Sequence, residues 1–506
     1  MKIDFKIVHI CSDEKFIDTT INIFENAYPN KSLYYVLQSS NNPYKYVKSS
    51  KAQPLLIKKE GDEHKVKTLL LEHNCNIVFF HALHLPKQRI VNVLGPDILK
   101  VWFIWGSDLY WNWKLLKVNM FENETYRFLY GGDKKTAFKR QLIFNNFGLW
   151  LFTKNQNKKL PLPNFLITKL ENNFLTDFYK VIQKIDIAVP IVPTEFDHIK
   201  RINNKLISAP FEYGTIEDLA IDEAVFEIKN ASNILIGNSA SPSNNHVDAF
   251  KHIATYKQNG QKIIVPLSYG GKQDYIDFVL EKGYSYFGND FTPILNFMPL
   301  IDYKKLISSC GYAVFNHRRQ QALGNINTMG YFGAKLFLNS ESPIFKYFKS
   351  QGVKISDINK INSISFCKPL DEKEIGINKS VLFSLYSKEA VNKKVSELIK
   401  IVDLKLKLQL DAIIINVENA AGGFGVTPAI CDDFFNAGAD ILTTGNHVWD
   451  KREIISYISK NERLLRPMNM IDGTPGIGIT SIKINTGTIG VANIMTNLFM
   501  SQCLSL

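Results

Sequence analysis

The first segment that could do chemistry is ILIGNSASPSNNH, residues 234–246. An apolar run leads into a turn of small and polar residues, and a helical pattern follows. Backbone N–H groups and the helix dipole at such a turn favour a phosphate, and glycine permits close backbone approach. The pattern predicts a donor-binding loop formed by Gly237, Asn238, Ser239, Ser243, Asn244 and His246. A turn that only caps a helix is the alternative.

A second segment, FNHRRQQALGNI at 315–326, again follows an apolar run and opens a helical pattern. Two arginines at a helix start oppose the helix dipole unless an anion is nearby. An arginine fork suits a diphosphate because it is bidentate and permanently charged. The predicted donor-binding residues here are Arg318, Arg319, Gln320, Gln321 and Asn325. The alternative is an arginine pair at the surface.

Two further apolar runs end in FFHALH (79–84) and FIWGSDLY (103–110). The imidazole of His81 or the carboxylate of Asp108 could deprotonate an acceptor hydroxyl. Both are candidate catalytic residues. A packed core histidine and an aspartate that caps the following turn are the alternatives.

A different set of groups occurs near the C-terminus, in NVENAAGGFG (416–425) and TTGNHVWD (443–450). Each segment follows an apolar run, and together they supply a carboxylate, amides and an imidazole. Such groups at strand ends are the materials of a dinuclear metal site. The candidate residues are Glu418, Asn419, Asn446 and His447.

The elements that must position these groups alternate between apolar runs and amphipathic stretches. We expect strands at Lys6–Ile10, Tyr34–Leu37, Asn76–Phe80, Lys100–Trp105, Ile185–Val189, Asn233–Gly237, Lys262–Leu267, Tyr312–Phe315, Lys335–Leu338 and Ala412–Asn416. Helical stretches include Asn245–Asn259, Lys272–Lys282 and a closing helix, Ser380–Val402. Two series of this kind predict an α/β fold with two doubly wound, Rossmann-like domains, 1–185 and 186–402, followed by a partial domain, 403–506.

The charge and the composition of the chain limit the classes of partner and of compartment that we expect. The net charge of +12 divides into +14 on residues 1–402 and −2 on residues 403–506. The basic excess of the first part suits an anionic partner such as a nucleotide diphosphate, acidic lipid or nucleic acid. A general preference for lysine in the genome would explain the charge equally well. No apolar run is long enough for a membrane-spanning helix, and the N-terminus does not read as a signal peptide. Six scattered cysteines indicate free thiols in a reducing compartment.

Residues 111–165 break the alternation because aromatic and basic residues intersperse there. The aromatic residues are Trp111, Trp113, Phe121, Phe128, Phe138, Phe144, Phe147, Trp150 and Phe152, and the basic ones are Lys114, Lys117, Lys134, Lys135, Lys139 and Arg140. Such a stretch could contact a membrane interface. Ordinary packing of helices on the sheet is the alternative.

Several motifs in order resemble glycosyltransferase family 56, the 4-acetamido-4,6-dideoxygalactosyltransferases (N-acetylfucosaminyltransferases) of enterobacterial common antigen synthesis. They are FFHA (79–82), IWGSDLY (104–110), ILIGNSASPSNNH (234–246), IVPLSYG (264–270), RQQALG (319–324) and FLNSESP (337–343). The resemblance spans nearly all of residues 1–402. Ala240, Ser241 and Pro242 depart from a more charged family pattern, which leaves the donor sugar open.

This resemblance implies a GT-B fold, with two Rossmann-like domains facing across a cleft. It also implies a dTDP-4-acetamido-4,6-dideoxygalactose donor and an undecaprenyl-diphosphate-linked saccharide acceptor. No metal cofactor is implied for the transfer. The implied location is peripheral, on the cytoplasmic face of the bacterial inner membrane, and nucleic acid is not expected as a partner.

The segment from 403 onward resembles the bacterial 2′,3′-cyclic-nucleotide phosphodiesterases, which are calcineurin-like metallophosphoesterases. In that family Glu418 would bridge two Fe- or Mn-type metals, Asn419 and Asn446 would be ligands, and His447 would be the proton donor. The family's aspartate-bearing first strand and three downstream histidines have no counterpart here. We therefore expect a truncated, inactive piece.

Three hypotheses follow. The main one is a glycosyltransferase, the second is a metal-dependent phosphodiesterase that uses the C-terminal segment, and the third is a non-enzymatic binder of membranes or nucleic acid.

Overall fold

The computed structural model describes residues 5–131, 146–158, 162–219, 228, 231–362, 366, 368–408, 411–484 and 487–496. The chain forms two compact units. One contains Met1–Asn204 and Pro210–Leu398, and the other contains Lys205–Ala209 and Ile399–Leu506. The division falls inside a helix, Lys388–Leu408, close to the predicted domain boundary at residue 402.

The first half of the larger unit is built on a parallel sheet. Its strands are β1 (Ile7–Cys11), β2 (Ser32–Gln38), β3 (Ala52–Leu56), β4 (Ile77–His81), β5 (Leu99–Phe103) and β6 (Ile187–Val189). Within this unit they run in the order β3-β2-β1-β4-β5-β6. Every residue of β1, β4 and β5 is buried, as expected for a parallel sheet covered on both faces. A two-residue strand, β7 (Ile207–Ser208), lies in the segment grouped with the smaller unit.

Helices connect and follow these strands. They are Ile17–Ala27, Lys65–Glu72, Leu85–Val93, Ser107–Tyr110, Asn123–Tyr130, Asn146–Lys158, Asn164–Phe174, Thr176–Ile182 and Phe196–Lys200, with 3-10 turns at Asp62–His64 and Pro193–Glu195. The helices from 123 to 174 replace the single crossover seen elsewhere in the sheet. Two of them, Asn123–Tyr130 and Asn146–Lys158, belong to the aromatic, basic stretch 111–165. Of that stretch, the following residues lie outside the described residues: Lys134, Lys135, Phe138, Lys139, Arg140 and Phe144.

The second half of the larger unit repeats the same topology. Its strands are β8 (Asn233–Ile236), β9 (Ile263–Pro266), β10 (Phe291–Ile294), β11 (Cys310–Phe315), β12 (Lys335–Leu338) and β13 (Ile355–Asp357), in the order β10-β9-β8-β11-β12-β13. Alternate residues serve opposite faces: Leu235 packs into one apolar core, whereas Ile234 and Ile236 pack into the other. Cores on both faces make this sheet doubly wound, as predicted.

The helices of this half flank the sheet. They are Ile216–Leu219, His246–Ile253, Gln273–Phe287, Leu300–Ser308, Leu323–Tyr331, Pro343–Ser350, Glu372–Tyr386 and Lys388–Leu408, with 3-10 turns at Pro242–Asn244, Gly288–Asp290 and Ile358–Lys360. The helix expected to end at Asn259 ends at Ile253 instead. The one expected to end at Lys282 continues to Phe287.

The strands predicted for the two larger domains are all present, and their ends shift by at most two residues. Strands β3, β10 and β13 were not predicted. Pro54 in β3 and Pro293 in β10 weaken the strand pattern, yet both strands lie at or near sheet edges, where proline is tolerated.

The smaller unit has a short parallel sheet in the order β14-β15-β16, formed by Ile414–Asn416, Ile441–Thr443 and Leu464–Leu465. An antiparallel hairpin follows, β17 (Ile479–Ile484) and β18 (Gly487–Ala492). The helices are Pro428–Asn436 and Ile454–Ile458, and Asn446–Trp449 forms a 3-10 turn. A small core surrounds Val417, Leu442 and Leu464. The edge strand β14 is poorly covered, since Ile414 is 46% exposed.

Four of the six cysteines lie in the part of the chain that the structure describes. Cys11, Cys75, Cys310 and Cys431 are free and buried. Cys367 and Cys503 lie outside the described residues. None of the described helices combines the length and the apolar character needed to cross a membrane.

Candidate functional site

The predicted donor loop follows β8, and the arginine segment follows β11. These strands are neighbours at the point where the strand order reverses, so their carboxyl ends form the crevice in which open α/β sheets bind ligands. Gly237 opens the loop with φ of +68°. An added Cβ there would lie 2.6 Å from Asn244 Oδ1, so only glycine fits.

Asn244 folds the donor loop from inside. Its side chain is completely buried. Its Oδ1 accepts a hydrogen bond from the Asn238 backbone at 3.0 Å, and its Nδ2 donates to Ser239 O at 2.9 Å. His317 Nε2 lies 2.7 Å from the same Oδ1. Asn244 therefore shapes the loop, and direct contact with a donor stays a prediction.

His246 also supports the loop from beneath. It is buried, and its Nδ1 lies 3.1 Å from the hydroxyl of Tyr275. Burial lowers the pKa of His246 to about 3, so the ring is neutral at physiological pH. A neutral, enclosed imidazole adds no charge for a diphosphate. Its predicted role in donor binding is untested.

Three hydrogen bonds among four side chains join the two predicted segments across the crevice. Ser243 Oγ donates to Gln321 Oε1 at 2.6 Å, and Arg319 Nε donates to Ser243 Oγ at 3.1 Å. Gln321 Nε2 in turn donates to Asn238 Oδ1 at 2.9 Å. Segments about 80 residues apart in sequence therefore form one hydrogen-bonded network, and a phosphate placed there would meet hydroxyl, amide and guanidinium donors.

The Arg319 guanidinium is half-buried in this network. Burial lowers its pKa to about 10, and the neighbouring Tyr110 and Glu195 oppose that shift. Arg319 thus remains positively charged at neutral pH. Its Nη1 donates to Gln320 O at 3.1 Å, which orients the fork.

Arg318 and Asn325, two other predicted residues of the arginine segment, differ in the contacts that they make. Arg318 Nη1 lies 3.2 Å from the Asn119 carboxamide when that amide points its oxygen toward it. Its buried Nε has no hydrogen-bond partner among the described residues. Asn325 donates to the hydroxyl of Tyr303 at 2.9 Å, so it is occupied within its own domain.

The first domain approaches this crevice through the motif IWGSDLY. Gly106 has φ of +81°, and a Cβ there would lie 2.5 Å from Gln320 Oε1. The Arg319 guanidinium carbon lies 6.0 Å from the centre of the Tyr110 ring, within cation–π range. The two motifs, predicted separately on different domains, therefore meet.

The carboxylate of Asp108 holds the loops after β4 and β5 together through hydrogen bonds. Its carboxylate accepts hydrogen bonds from Leu83 N and Trp102 Nε1, both at 2.7 Å, and from Trp105 N at 2.9 Å. It is almost completely buried. The contacts describe a carboxylate that holds loops rather than one open to an acceptor hydroxyl, and its tentative catalytic role stays a prediction.

His81 is packed in the core of the first domain. Its Nε2 lies 2.9 Å from His9 Nδ1, and its Nδ1 lies 3.0 Å from the Tyr213 hydroxyl. Burial, with the charge of Lys87 nearby, holds its pKa well below the usual value. The geometry matches the alternative of a packed core histidine, and a catalytic role is untested.

Sequence reasoning missed two buried residues beside Arg319. Glu195 is completely buried, and burial raises its pKa to about 8. Burial and the charge of Glu195 together raise the pKa of Tyr110. The position of Glu195 just after strand β6 was the available signal, since strand ends in such sheets carry functional groups.

Lys15 and Tyr269 were also not predicted from the sequence, and Tyr269 contacts the donor loop. Lys15 Nζ, in the loop after β1, is 5.9 Å from the ring centres of both Tyr269 and Phe297. Asn238 Nδ2 in the donor loop donates to the Tyr269 hydroxyl at 3.2 Å. This contact links the first domain to the donor loop of the second.

The candidate metal residues of the smaller unit are only partly brought together. Glu418 follows β14, and its carboxylate lies so close to Gly445 that a Cβ added to this glycine would overlap it. Glu418 therefore lies beside Asn446, the residue after Gly445. His447 Nδ1 lies 2.7 Å from Asp450 Oδ2. Asn419 and Asn446 are exposed.

These groups do not fit a dinuclear metal centre. Within the part of the chain that is described, no cluster of three or more His, Cys, Asp or Glu side chains is placed to hold a metal ion. One carboxylate with two exposed amides is a small part of the donor set such a centre needs.

Comparison with known proteins separates the two regions of the chain. Residues 195–369 match the family model described as 4-alpha-L-fucosyltransferase glycosyl transferase group 56. Residues 389–505 match the model described as YmdB-like protein. The second match begins earlier than the predicted boundary at 403.

The C-terminal region is similar to curated proteins. It is 44% identical over 97 residues to a 2′,3′-cyclic-nucleotide 2′-phosphodiesterase of Bacillus subtilis (strain 168), a match covering 19% of this chain and 37% of that protein. A putative phosphatase/phosphodiesterase of Mycoplasma pneumoniae is 27% identical over 99 residues, 19% of this chain and 35% of that protein. The chain thus spans about a third of the length of the curated relatives it matches.

Among solved structures, the apo structure of OtsA is similar over 79% of this chain and 99% of that chain, with 10% identity and a TM-score of 0.50. Anabaena HepE in complex with UDP and glucose is similar over 78% of this chain and 99% of that chain, with 9% identity and a TM-score of 0.46. At such identity the likeness concerns the fold alone. The predicted GT-B-like architecture is confirmed, residues 195–369 are similar to group 56 glycosyl transferases, and residues 389–505 are similar to a YmdB-like protein.

Proposed function

We propose that this enzyme transfers a 4-acetamido-4,6-dideoxygalactose unit from a dTDP-sugar to an undecaprenyl-diphosphate-linked saccharide at a membrane surface. The network of Ser243, Arg319 and Gln321 carries the proposal. It supplies hydroxyl, guanidinium and amide groups at the reversal point of the second sheet, where a diphosphate would bind. A nucleotide-sugar donor also agrees with the UDP bound by HepE.

The reaction is a substitution at the anomeric carbon. The acceptor oxygen forms a bond to that carbon, the bond to the dTDP oxygen breaks, and the acceptor proton passes to a base. Arg319 would neutralise charge that develops on the leaving diphosphate, and no metal cofactor is required for this role. Asp108 and His81 are the candidate bases, and their contacts favour positioning roles.

The membrane part of the proposal rests on chemistry outside the crevice. The excess of basic residues in 1–402 suits acidic headgroups. Large aromatic side chains are exposed in the helical stretch after β5, including Trp111 and Trp150. Exposed aromatic and basic groups are typical of segments that lie in a membrane interface.

Calorimetry with dTDP on the full chain tests the donor site. We expect saturable binding that weakens about tenfold in Arg319→Ala, because a charge-assisted hydrogen bond to phosphate is lost. Arg89→Ala is the matched control, since Arg89 is an exposed arginine on the first domain with a weak ion pair to Glu63. Equal affinity in both variants would remove Arg319 from the site.

A metal-dependent phosphodiesterase is the second candidate function, favoured by the 44% identity of the C-terminal region to a phosphodiesterase. The partial donor set around Glu418 argues against it. Metal analysis of purified protein, with hydrolysis of a 2′,3′-cyclic nucleotide, decides between them. Stoichiometric metal together with turnover would establish the second activity.

A further inference from the structure

The helical stretch that follows β5 lines a half-open cavity of about 360 Å³. Its lining includes the aromatic rings of Trp111, Trp113, Phe121 and Phe174 and the thioether of Met120. Most of the lining side chains are apolar or aromatic. A cavity with such a wall favours a hydrocarbon ligand over a nucleotide or a sugar.

Aromatic side chains are exposed in the wall of this cavity and on the helices that adjoin it. Trp111 lines the cavity and is itself 79% exposed. Phe165, on the helix that ends in the cavity wall at Phe174, is 75% exposed, and Trp150 is 51% exposed. The helices that carry these two residues pack together through the rings of Phe152 and Phe174, whose centres are 5.2 Å apart. Exposed aromatic groups in one region of a protein mark an interaction site.

Positive charge accompanies the apolar surface. Lys114 is part of the cavity wall, with its Nζ 5.8 Å from the centre of the Trp113 ring. Lys117, Lys154 and Lys169 are exposed on the same stretch of chain. A hydrocarbon wall next to lysines is complementary to an apolar chain that ends in a phosphate.

The cavity begins directly beside the catalytic cleft. Trp111 follows Tyr110, whose ring faces the Arg319 guanidinium. Asn112, another lining residue, donates to Asp108 O at 3.1 Å. A ligand whose chain occupies the cavity would therefore have its head close to the interdomain cleft, on the side of the first domain.

We propose that this cavity binds the hydrocarbon chain of a lipid-phosphate acceptor, next to the phosphate head. The inference rests on the proposed function for the class of acceptor, but the cavity and its charge are independent of the donor site. It assigns substrate binding to a region that the family match at 195–369 does not include. A bilayer surface without a specific lipid is the competing occupant.

Farnesyl monophosphate is the probe, titrated into the full chain and followed by tryptophan fluorescence and calorimetry. We expect saturable binding and an increase in the dissociation constant of about fivefold in Trp111→Ala. Phe165→Ala is the matched control, because Phe165 is equally exposed but is not part of the cavity wall. It should bind the probe like the wild type. Thermal unfolding of both variants checks that neither change disturbs the fold.

Unchanged affinity for farnesyl monophosphate in Trp111→Ala would overturn the proposal. So would equal losses in both variants, accompanied by equal losses of binding to phosphatidylglycerol vesicles, since that pattern describes contact with a bilayer surface. Titration with dTDP separates this inference from the proposed function. Binding of dTDP without binding of the probe overturns the cavity site alone, and the reverse overturns the donor site alone.

Discussion

Gly106 in the first domain and Gln320 in the second approach so closely that a single methyl group would not fit between them. A Cβ on Gly106 would lie 2.5 Å from Gln320 Oε1 and 3.2 Å from Gln320 O. Gly106 also has φ of +81°, a conformation that residues with a side chain rarely adopt. One glycine thus sets both the turn after β5 and the contact with the arginine segment.

Gly106→Ala should therefore damage both stability and transfer. The strained φ and the overlap together should cost about 2 kcal/mol in the free energy of unfolding. Gly61→Ala is the control, because Gly61 has φ of +97° but open space around its Cα. That variant should lose only about 1 kcal/mol and keep its transfer rate. Urea unfolding and rate measurements check both. If the two variants lose the same stability and the same transfer rate, the close approach of Gly106 to Gln320 does not contribute to function.

Ser243 and Arg319 should act on the donor as one unit. Ser243→Ala removes the hydroxyl that accepts from Arg319 Nε and donates to Gln321, so dTDP affinity should fall about fivefold. A double-mutant cycle with Arg319→Ala should show a coupling energy above about 0.5 kcal/mol. Calorimetry provides the four dissociation constants. Additive effects would mean that the two side chains bind the donor independently.

Glu195 should make stability depend on pH. Its pKa is raised from 4.5 to about 8 by burial, so the folded state holds a proton that the unfolded chain releases. This contribution is present in full below about pH 4.5 and is lost as pH rises through about 8. Between about pH 6 and pH 8.5 the wild type should lose a few kcal/mol relative to Glu195→Gln. Urea unfolding at the two pH values measures this difference.

Parallel pH dependence in wild type and Glu195→Gln would show that the carboxyl group is already ionised near Arg319. An ionised Glu195 would pair with the Arg319 guanidinium and would therefore compete with a diphosphate for that guanidinium. Donor affinity measured at the same two pH values reports on this competition directly.

The partial metal residues should not contribute to sugar transfer. Glu418→Gln and His447→Ala should leave the transfer rate within about twofold of the wild type, and bound Fe, Mn and Zn should stay substoichiometric in all three proteins. Elemental analysis and the transfer assay check this. Metal that is stoichiometric in the wild type and lost in Glu418→Gln would revive the phosphodiesterase hypothesis.

The sequence predicted the strands of the larger unit well, because buried parallel strands such as Ile77–His81 are short apolar runs bounded by polar turns. It also located both halves of the crevice, since strand, turn and helix start recur there in order. Edge strands were missed: β3 and β10 contain proline, and their stability comes from neighbouring strands.

The roles of individual side chains needed the tertiary structure. Asn244 and His246 have types suited to ligand binding, yet burial and hydrogen bonds make them supports of the loop. Asp108 has a residue type suited to a base, and three N–H donors occupy its carboxylate in the fold, so its catalytic role stays a prediction. A residue type defines what chemistry is available, whereas access and partners decide whether that chemistry is used.

By itself, the sequence determined the two-domain α/β plan, the candidate donor segments and the change of character near residue 403, because each depends on local runs and motifs. Only the tertiary structure decided that Gly106 meets Gln320 and that Glu195 and Tyr110 lie beside Arg319. These relationships join residues tens or hundreds of positions apart in the chain. They depend on strand order and burial, which no local pattern encodes.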